Sequence, residues 1–405
     1  MTQQPTILML GCFDTKGEIF AFLRNCLITQ GAEVMAVNVG VMGSTELFPV
    51  AMDAEEICEE AGENLEALRA KNDRGNAMEI MGRGAAKVLA NLQALEKIDA
   101  VIGMGGGSGT YVTLKSMQSL RLGMPKICIS TLASKDLSGL VGVKDVLLMP
   151  SVVDVAALNS IIKPIIQQAA AAIVAMSGVV ILENSANSKR IAISMFGNTS
   201  ACVDHCTQLL EAKGYEVMTF HANGVGGKAL ESLTLEDCFA GLLDITTTEL
   251  ADELCNGICT AGPSRLEAAA KMGIPQVVVP GCMDMVNFGT MDSVPSTYKN
   301  RHLYSWVPTV TLMRTNEEEN RALGEILAKK LNHASGHVGI LFPAKGLSQL
   351  DAEGNVFYNP EVNHILSDSI EKNLNSDIAF INLPLHINEK EFAEKAVTTL
   401  MEMMK

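Results

Sequence analysis

The sequence predicts an α/β protein of two domains, each built on a mainly parallel sheet flanked by helices. Three observations predict it. The chain has 405 residues, 48% of them apolar, which is too long for one ordinary core and rich enough to fill two. Short runs of β-branched and aliphatic residues alternate with helical patterns, as parallel β-α-β units require. Residues 98–110 read Ile-Asp-Ala-Val-Ile-Gly-Met-Gly-Gly-Gly-Ser-Gly-Thr, an apolar strand running straight into a glycine-rich turn, with a helix expected over 111–120.

Taken in order, residues 6–10, 33–38, 100–104 and 126–130 read as strands, and 17–30, 54–68, 76–97 and 113–120 as helices. Each strand ends in a Gly, Asn, Ser or Thr cluster, and open parallel sheets bind ligands beyond those carboxyl ends. Residues 161–177, rich in Ala and Ile, read as a long helix with Pro164 tolerated in its first turn. The boundary is expected near residue 183, giving domains 1–183 and 184–405. Strands follow at 190–195, 216–220, 241–245, 276–280, 337–342 and 378–382, with helices at 201–213 and 389–403.

The net charge of −15 argues against a nucleic-acid backbone or an anionic membrane surface as main partner, while backbone amides of an acidic chain still bind phosphate. The ten cysteines form no CxxC pair and read as free thiols in a reducing cytosol. The N-terminus shows no basic region followed by an apolar core, and the most apolar stretch, 169–182, is too short to span a bilayer; a cytoplasmic location is expected. The seven histidines make no HExxH or HxH, so no zinc is expected. No Gly-x-Ser-x-Gly elbow is present, which speaks against a hydrolase triad.

The sharpest site expectation is a phosphate at residues 105–110. Gly105, Gly106, Gly107 and Gly109 let the backbone approach a ligand, the free N–H groups of the helix start point at negative charge, and Ser108 and Thr110 add hydroxyls. The segment is neither a Walker A loop nor a GxGxxG first turn; the alternative is a tight turn needed for packing. After the first strand, Thr15 is placed to donate to a phosphate, Lys16 to neutralise it and Asp14 to hold Mg²⁺ or a ribose hydroxyl; alternatively Asp14 and Thr15 cap the following helix. Ser130 and Thr131 bring hydroxyls to the same sheet edge, and residues 38–43 face a base or ribose, or both loops are ordinary β-α turns. In the second half, His221 is a candidate acid/base, Asp284 a second one, and Thr247, Asn287 and Arg301 offer contacts to a small anionic metabolite. Each of these, taken singly, also fits a cap, a turn or a surface ion pair.

The strings at 11–18 (GCFDTKGE), 103–110 (GMGGGSGT), 123–131 (GMPKICIST), 221–229 (HANGVGGKA), 243–254 (LDITTTELADEL), 273–288 (GIPQVVVPGCMDMVNF) and 311–315 (TLMRT) together resemble the Tm-one-like ATP-binding domain family, named after a plant protein that blocks tobamovirus replication. The resemblance implies two Rossmann-like domains, homodimers or larger homo-oligomers, and ATP held in the first domain by the positions matching its site: Asp14, Thr15, Lys16, Gly105, Gly106, Gly107, Ser108, Gly109, Thr110, Ser130 and Thr131. One departure stands out. His-Asn-Pro usually precedes the Val-Thr-Leu-Met-Arg-Thr string, and here the stretch reads Trp306-Val307-Pro308.

Three functions follow as expectations. The first is a nucleotide-dependent enzyme, with ATP and Mg²⁺ in the first domain and a small anionic metabolite in an interdomain cleft, touched by His221, Thr247, Asp284, Asn287 and Arg301. The second is a binding module in which ATP biases assembly without chemistry. The third is a carboxylate-acting lyase or acyl-transfer enzyme.

Overall fold

A computed structural model describes residues 4–179, 189–334 and 337–405. The chain divides into two compact units, residues 1–182 and 183–405; the expected boundary at 183 falls outside the described residues.

The first unit runs β1 (Thr6–Gly11), α1 (Phe13–Thr29), β2 (Glu33–Asn38), α2 (Ala54–Glu60), α3 (Leu65–Lys71), α4 (Arg74–Ala94), β3 (Ala100–Gly105), α5 (Gly107–Met117), β4 (Lys126–Ser130), α6 (Ser138–Val141), β5 (Leu147–Pro150) and α7 (Ile162–Ser177). The five strands are parallel in the order β2-β1-β3-β4-β5. Strand side chains alternate between faces, so Ile7, Met9, Ile102 and Ile129 pack with α1 and α7, while Leu8, Leu10, Val101 and Cys128 pack with α2–α5. The chain leaves β1 toward one face and β3 toward the other. Their carboxyl ends therefore diverge, and the crevice of a doubly wound sheet opens between β1 and β3.

The second unit runs β6 (Arg190–Met195), α8 (Ser200–Glu211), β7 (Glu216–His221), α9 (Val225–Leu235), β8 (Gly241–Thr246), α10 (Thr248–Cys255), α11 (Ala268–Met272), β9 (Gln276–Gly281), β10 (Met285–Phe288), β11 (Leu303–Val307), β12 (Val310–Arg314), α12 (Glu317–Leu331), β13 (Val338–Pro343), α13 (Pro360–Asn373), β14 (Ala379–Leu383) and α14 (Lys390–Met403). Its six-stranded parallel sheet has the order β14-β13-β9-β8-β6-β7. Counted from the first strand of each unit, both sheets follow 2-1-3-4-5, with one more strand here. The second sheet's reversal lies between β6 and β8. The C-terminal helix α14 packs with α8 on one face of this sheet.

Three expectations on elements are corrected. α5 begins at Gly107, ahead of the expected 111 or 113; glycine's poor helix propensity masked a first turn whose amides need no internal partner. β5 was not expected, because four residues ending in Pro150 with half-exposed faces carry little strand signal. The antiparallel sheet β10-β12-β11 was not expected either, since its strands are only four or five residues long. No helix among the described residues is long and apolar enough to cross a membrane.

Candidate functional site

At the β1/β3 crevice the first unit holds a cavity of about 640 Å³, within the usual size of small-ligand sites. Three carboxyl-terminal loops of the sheet reach it: Cys12–Lys16 after β1, Val39–Met42 after β2 and Gly106–Gly109 after β3, joined by Leu68–Arg74 from the α3–α4 turn and by Asp154 after β5.

The turn after β3 is the tightest part. A Cβ on Gly103 would strike the Thr113 side chain, and one on Gly105 would lie 2.7 Å from the Gly109 Cα. Those two glycines let β3 and α5 close on each other. Gly106 and Gly107 differ: a Cβ on Gly106 would meet atoms only at 3.9 Å, and one on Gly107 none within 4 Å. α5 starts with Gly106 as N-cap and no side-chain cap. The Thr110 N–H is bonded to the Gly106 carbonyl at 2.8 Å. The amides of Gly107, Ser108 and Gly109 occupy the first three helical positions, which have no acceptor within the helix, and all three residues line the cavity.

One cation reaches this helix start and a second lines the same cavity. Arg74, the first residue of α4, donates from Nε (3.0 Å) and Nη2 (2.7 Å) to the Ser108 hydroxyl. Lys16 interrupts α1 with a non-helical φ of −134° and lines the same cavity. The Cys12 thiol registers the local field: burial and then the Asp14 carboxylate push it up to about 11, while Lys16 and Arg74 pull it down. Arg69 donates to the Val41 carbonyl and ties α3 to the loop after β2.

Asp14 accepts from the Met42 N–H through Oδ2 at 3.0 Å, while its buried Oδ1 has no partner. A Cβ on Gly40 would collide with this carboxylate, so glycine is what lets Asp14 sit against the end of β2. Asp14 and Thr15 do not cap α1: its N-cap is Cys12, without a side-chain bond. The first-turn amide of Phe13 is bonded instead to Asn38 Oδ1 at 2.9 Å. Buried Asn38 also accepts from Gly40 N–H and donates to the Gly43 carbonyl and Asp53; it holds the β1 and β2 loops together. The remaining lining is apolar, including Val39, Leu68, Met78, Met81 and Val112.

The cavity thus brings together Asp14, Thr15, Lys16, Gly106, Gly107, Ser108 and Gly109. Gly105 lies behind it as a packing glycine. Thr110 and Ser130 are fully buried and share a 2.6 Å hydroxyl–hydroxyl bond, so they brace β4 against α5. Thr131 is half-buried beside Gly106. Sequence reasoning missed Arg69, Arg74 and Asp154. The break Lys71-Asn72-Asp73-Arg74 between two helical patterns was the available signal: a left-handed Asn72 ends α3 and Asp73 caps α4.

The second-unit candidates do not form one open surface. His221 is exposed at the end of edge strand β7, 5.1 Å from the Phe196 ring. Thr247 is buried and donates to the Val279 carbonyl. Asn287 is buried and donates to Asp252 at 2.8 Å. Arg301 forms a two-pronged pair with Glu319, both contacts at 2.8 Å. Asp284 is fully buried; Oδ2 accepts from Ser348 at 2.8 Å and Oδ1 has no partner. Burial, then the nearby Asp351 carboxylate, push Asp284 up to about 7, against Arg314 and the Ser348 hydroxyl. Trp306 and Val307 lie half-exposed at the end of β11.

These features define a class: a two-unit doubly wound α/β protein whose first unit opens a switch-point cavity onto an uncapped helix start flanked by cations. The chain belongs to the uncharacterised protein family UPF0261, matching the family's N-terminal domain over residues 5–181 and its C-terminal domain over 188–404. It is 41% identical to a UPF0261 protein of Clostridium tetani across 98% of both chains. It is also 38% identical to the ToMV susceptible protein tm-1(GCR26) and the ToMV resistance protein Tm-1(GCR237) of Solanum lycopersicum, over 82% of this chain and 45% of those proteins. The expected family resemblance therefore holds. Among solved structures, a UDP-N-acetylglucosamine 2-epimerase from Rickettsia bellii aligns at 9% identity and a TM-score of 0.24, over 68% of this chain and 78% of that one; a likeness at that level carries no argument.

Proposed function

We propose that this protein binds ATP, or a nucleotide of the same phosphate chemistry, in the first-unit cavity. The observation that carries the reading is the uncapped start of α5, with Gly107, Ser108 and Gly109 facing a cavity that Lys16 and Arg74 also reach. Partial positive charge at a helix start and fixed N–H donors favour a phosphate oxygen. The apolar half, with Val39, Met78 and Met81, suits a purine face. Asp14 Oδ1 has no donor and fits a ribose hydroxyl or a magnesium-bound water. Among the described residues no group of three or more His, Cys, Asp or Glu is placed to hold a metal ion, so Mg²⁺ enters in this reading with the nucleotide, held mainly by phosphate oxygens.

The binding-module reading fits better than the enzyme reading. Thr247, Asp284 and Asn287 are buried, and Arg301 is committed to Glu319. The names of the tomato relatives refer to ToMV resistance and susceptibility, and nothing in this chain's cavity speaks to a viral partner. Titration calorimetry with ATP, ADP and AMP, with and without Mg²⁺, tests binding. Nucleotide analysis and sizing after incubation then separate a ligand that stays intact and shifts homo-oligomer size from one that is turned over. Absence of heat with all three nucleotides, with nothing bound at equilibrium dialysis, removes the reading.

A further inference from the structure

We propose that Arg74 is the residue that makes this cavity selective for the ligand's charge, by transferring its guanidinium from the Ser108 hydroxyl to an outer phosphate of the nucleotide. The inference rests on the nucleotide reading and goes further, to which part of the ligand decides affinity.

Arg74 has the wrong partner for a structural arginine. Nε and Nη2 both converge on one neutral oxygen, Ser108 Oγ. Among the described residues no carboxylate forms an ion pair with it. Its own neighbour Asp73 is occupied in capping α4 through the Asn76 N–H at 3.0 Å. A guanidinium is a planar fork suited to two oxygens of one carboxylate or phosphate, and a single hydroxyl satisfies neither its charge nor its geometry.

Its position is equally particular. Arg74 stands at the start of α4 and reaches Ser108, the second residue of α5. Its charge is felt at Cys12, at the end of β1. An anion on the Gly107–Gly109 amides therefore lies within the reach that the fork already spans to Ser108. The acids lining this cavity, Asp14, Asp73 and Asp154, repel an unescorted polyphosphate, so a strong cation contact here counts directly toward discrimination. Each added phosphate should gain from Arg74, whereas the nucleoside should not.

The test is calorimetry of adenosine, AMP, ADP and ATP, in Mg²⁺, against the wild-type chain, Arg74→Ala and Arg74→Lys. The thermal midpoint of each variant is checked first; Arg74 is exposed, and little change is expected. The expected result is adenosine binding within about twofold of wild type in Arg74→Ala, with ATP weakened at least about tenfold, the scale of a charged hydrogen bond. The loss should grow from AMP to ATP, and Arg74→Lys should recover part of it by keeping the charge and losing the fork. Equal losses for all four ligands mean that Arg74 only supports the fold, and overturn the proposal. Unchanged ATP affinity in Arg74→Ala overturns it while leaving the nucleotide reading intact. No binding by the wild-type chain overturns both.

Discussion

The glycines after β3 divide into two kinds, and substitution separates them. At Gly105 a methyl group would lie 2.7 Å from the Gly109 Cα and 3.1 Å from its carbonyl carbon. Both are helix backbone and cannot rotate away. Gly105→Ala must therefore push α5 off β3, an overpacking that costs about 1–3 kcal/mol. At roughly 2–4 °C per kcal/mol for a unit of this size, the first unit's thermal midpoint should fall by roughly 2–12 °C. At Gly107 a Cβ meets nothing within 4 Å and the residue borders the cavity. Gly107→Phe should keep the midpoint within about 2 °C, since open-space substitutions move stability by about 0.5 kcal/mol or less. It should also occupy the anion position and weaken ATP by at least about tenfold, the worth of one lost charged hydrogen bond. Melting followed by circular dichroism and binding by calorimetry read the two effects independently. The reasoning fails if Gly105→Ala melts like wild type, or if Gly107→Phe still binds ATP with full affinity.

Asp14→Asn should weaken ATP by about tenfold in Mg²⁺ and leave it unchanged in EDTA, because a metal-borne contact needs the carboxylate; calorimetry in the two buffers checks this. Asp284 is raised in the folded state from 3.8 to about 7, so the folded chain retains a proton that the unfolded chain releases. Stability of the second unit should then fall as pH rises from about 4 to 7, by on the order of 4 kcal/mol. Asp284→Asn should flatten that slope in urea unfolding at pH 4.5 and 8. Arg265 is fully buried and pairs with Asp244, Glu249 and Glu231. Arg265→Met strands buried carboxylates and should cost about 3–5 kcal/mol, read as a lower urea midpoint.

Much of the fold was legible because parallel strands buried on both faces declare themselves as aliphatic runs. β1, β2, β3 and β4 lie within a residue of their expected bounds. β5 and the three-stranded sheet were not legible, since strands of four or five residues without a continuous aliphatic run carry little periodicity and their pairing is set by tertiary contacts. At the site, the glycine turn and the Asp14-Thr15-Lys16 segment could be read because chain order places them at adjacent strand ends. Arg74 could not be read that way. It arrives from an insertion of three helices between β2 and β3, and no local pattern says that the start of α4 reaches Ser108. Thr110 and Ser130 illustrate the opposite error: a hydroxyl at a strand end satisfies its neighbour as readily as a ligand.

The two halves show why a glycine-rich strand end is not itself a binding site. Both sheets share one strand order, and both carry a glycine segment at a helix start. At the start of α9 the Gly224 and Gly227 amides donate to Glu249 Oε1, at 2.8 and 3.2 Å, and Arg265 holds the other carboxylate oxygen at 2.6 Å. A Cβ on Gly227 would strike that same carboxylate. The helix start there already has its anion, supplied by the chain and neutralised by a buried arginine. The start of α5 follows the third strand of its unit, where α9 follows the second. It too brings together amides, glycines and an arginine, but among the described residues no carboxylate accepts from its first amides, and Asp14, Asp73 and Asp154 only line the cavity beside it. Arg74 rests on a hydroxyl instead. The physics of the two helix starts is the same; the second unit supplies from its own chain the negative charge that, under the proposed reading, a nucleotide would bring to the first.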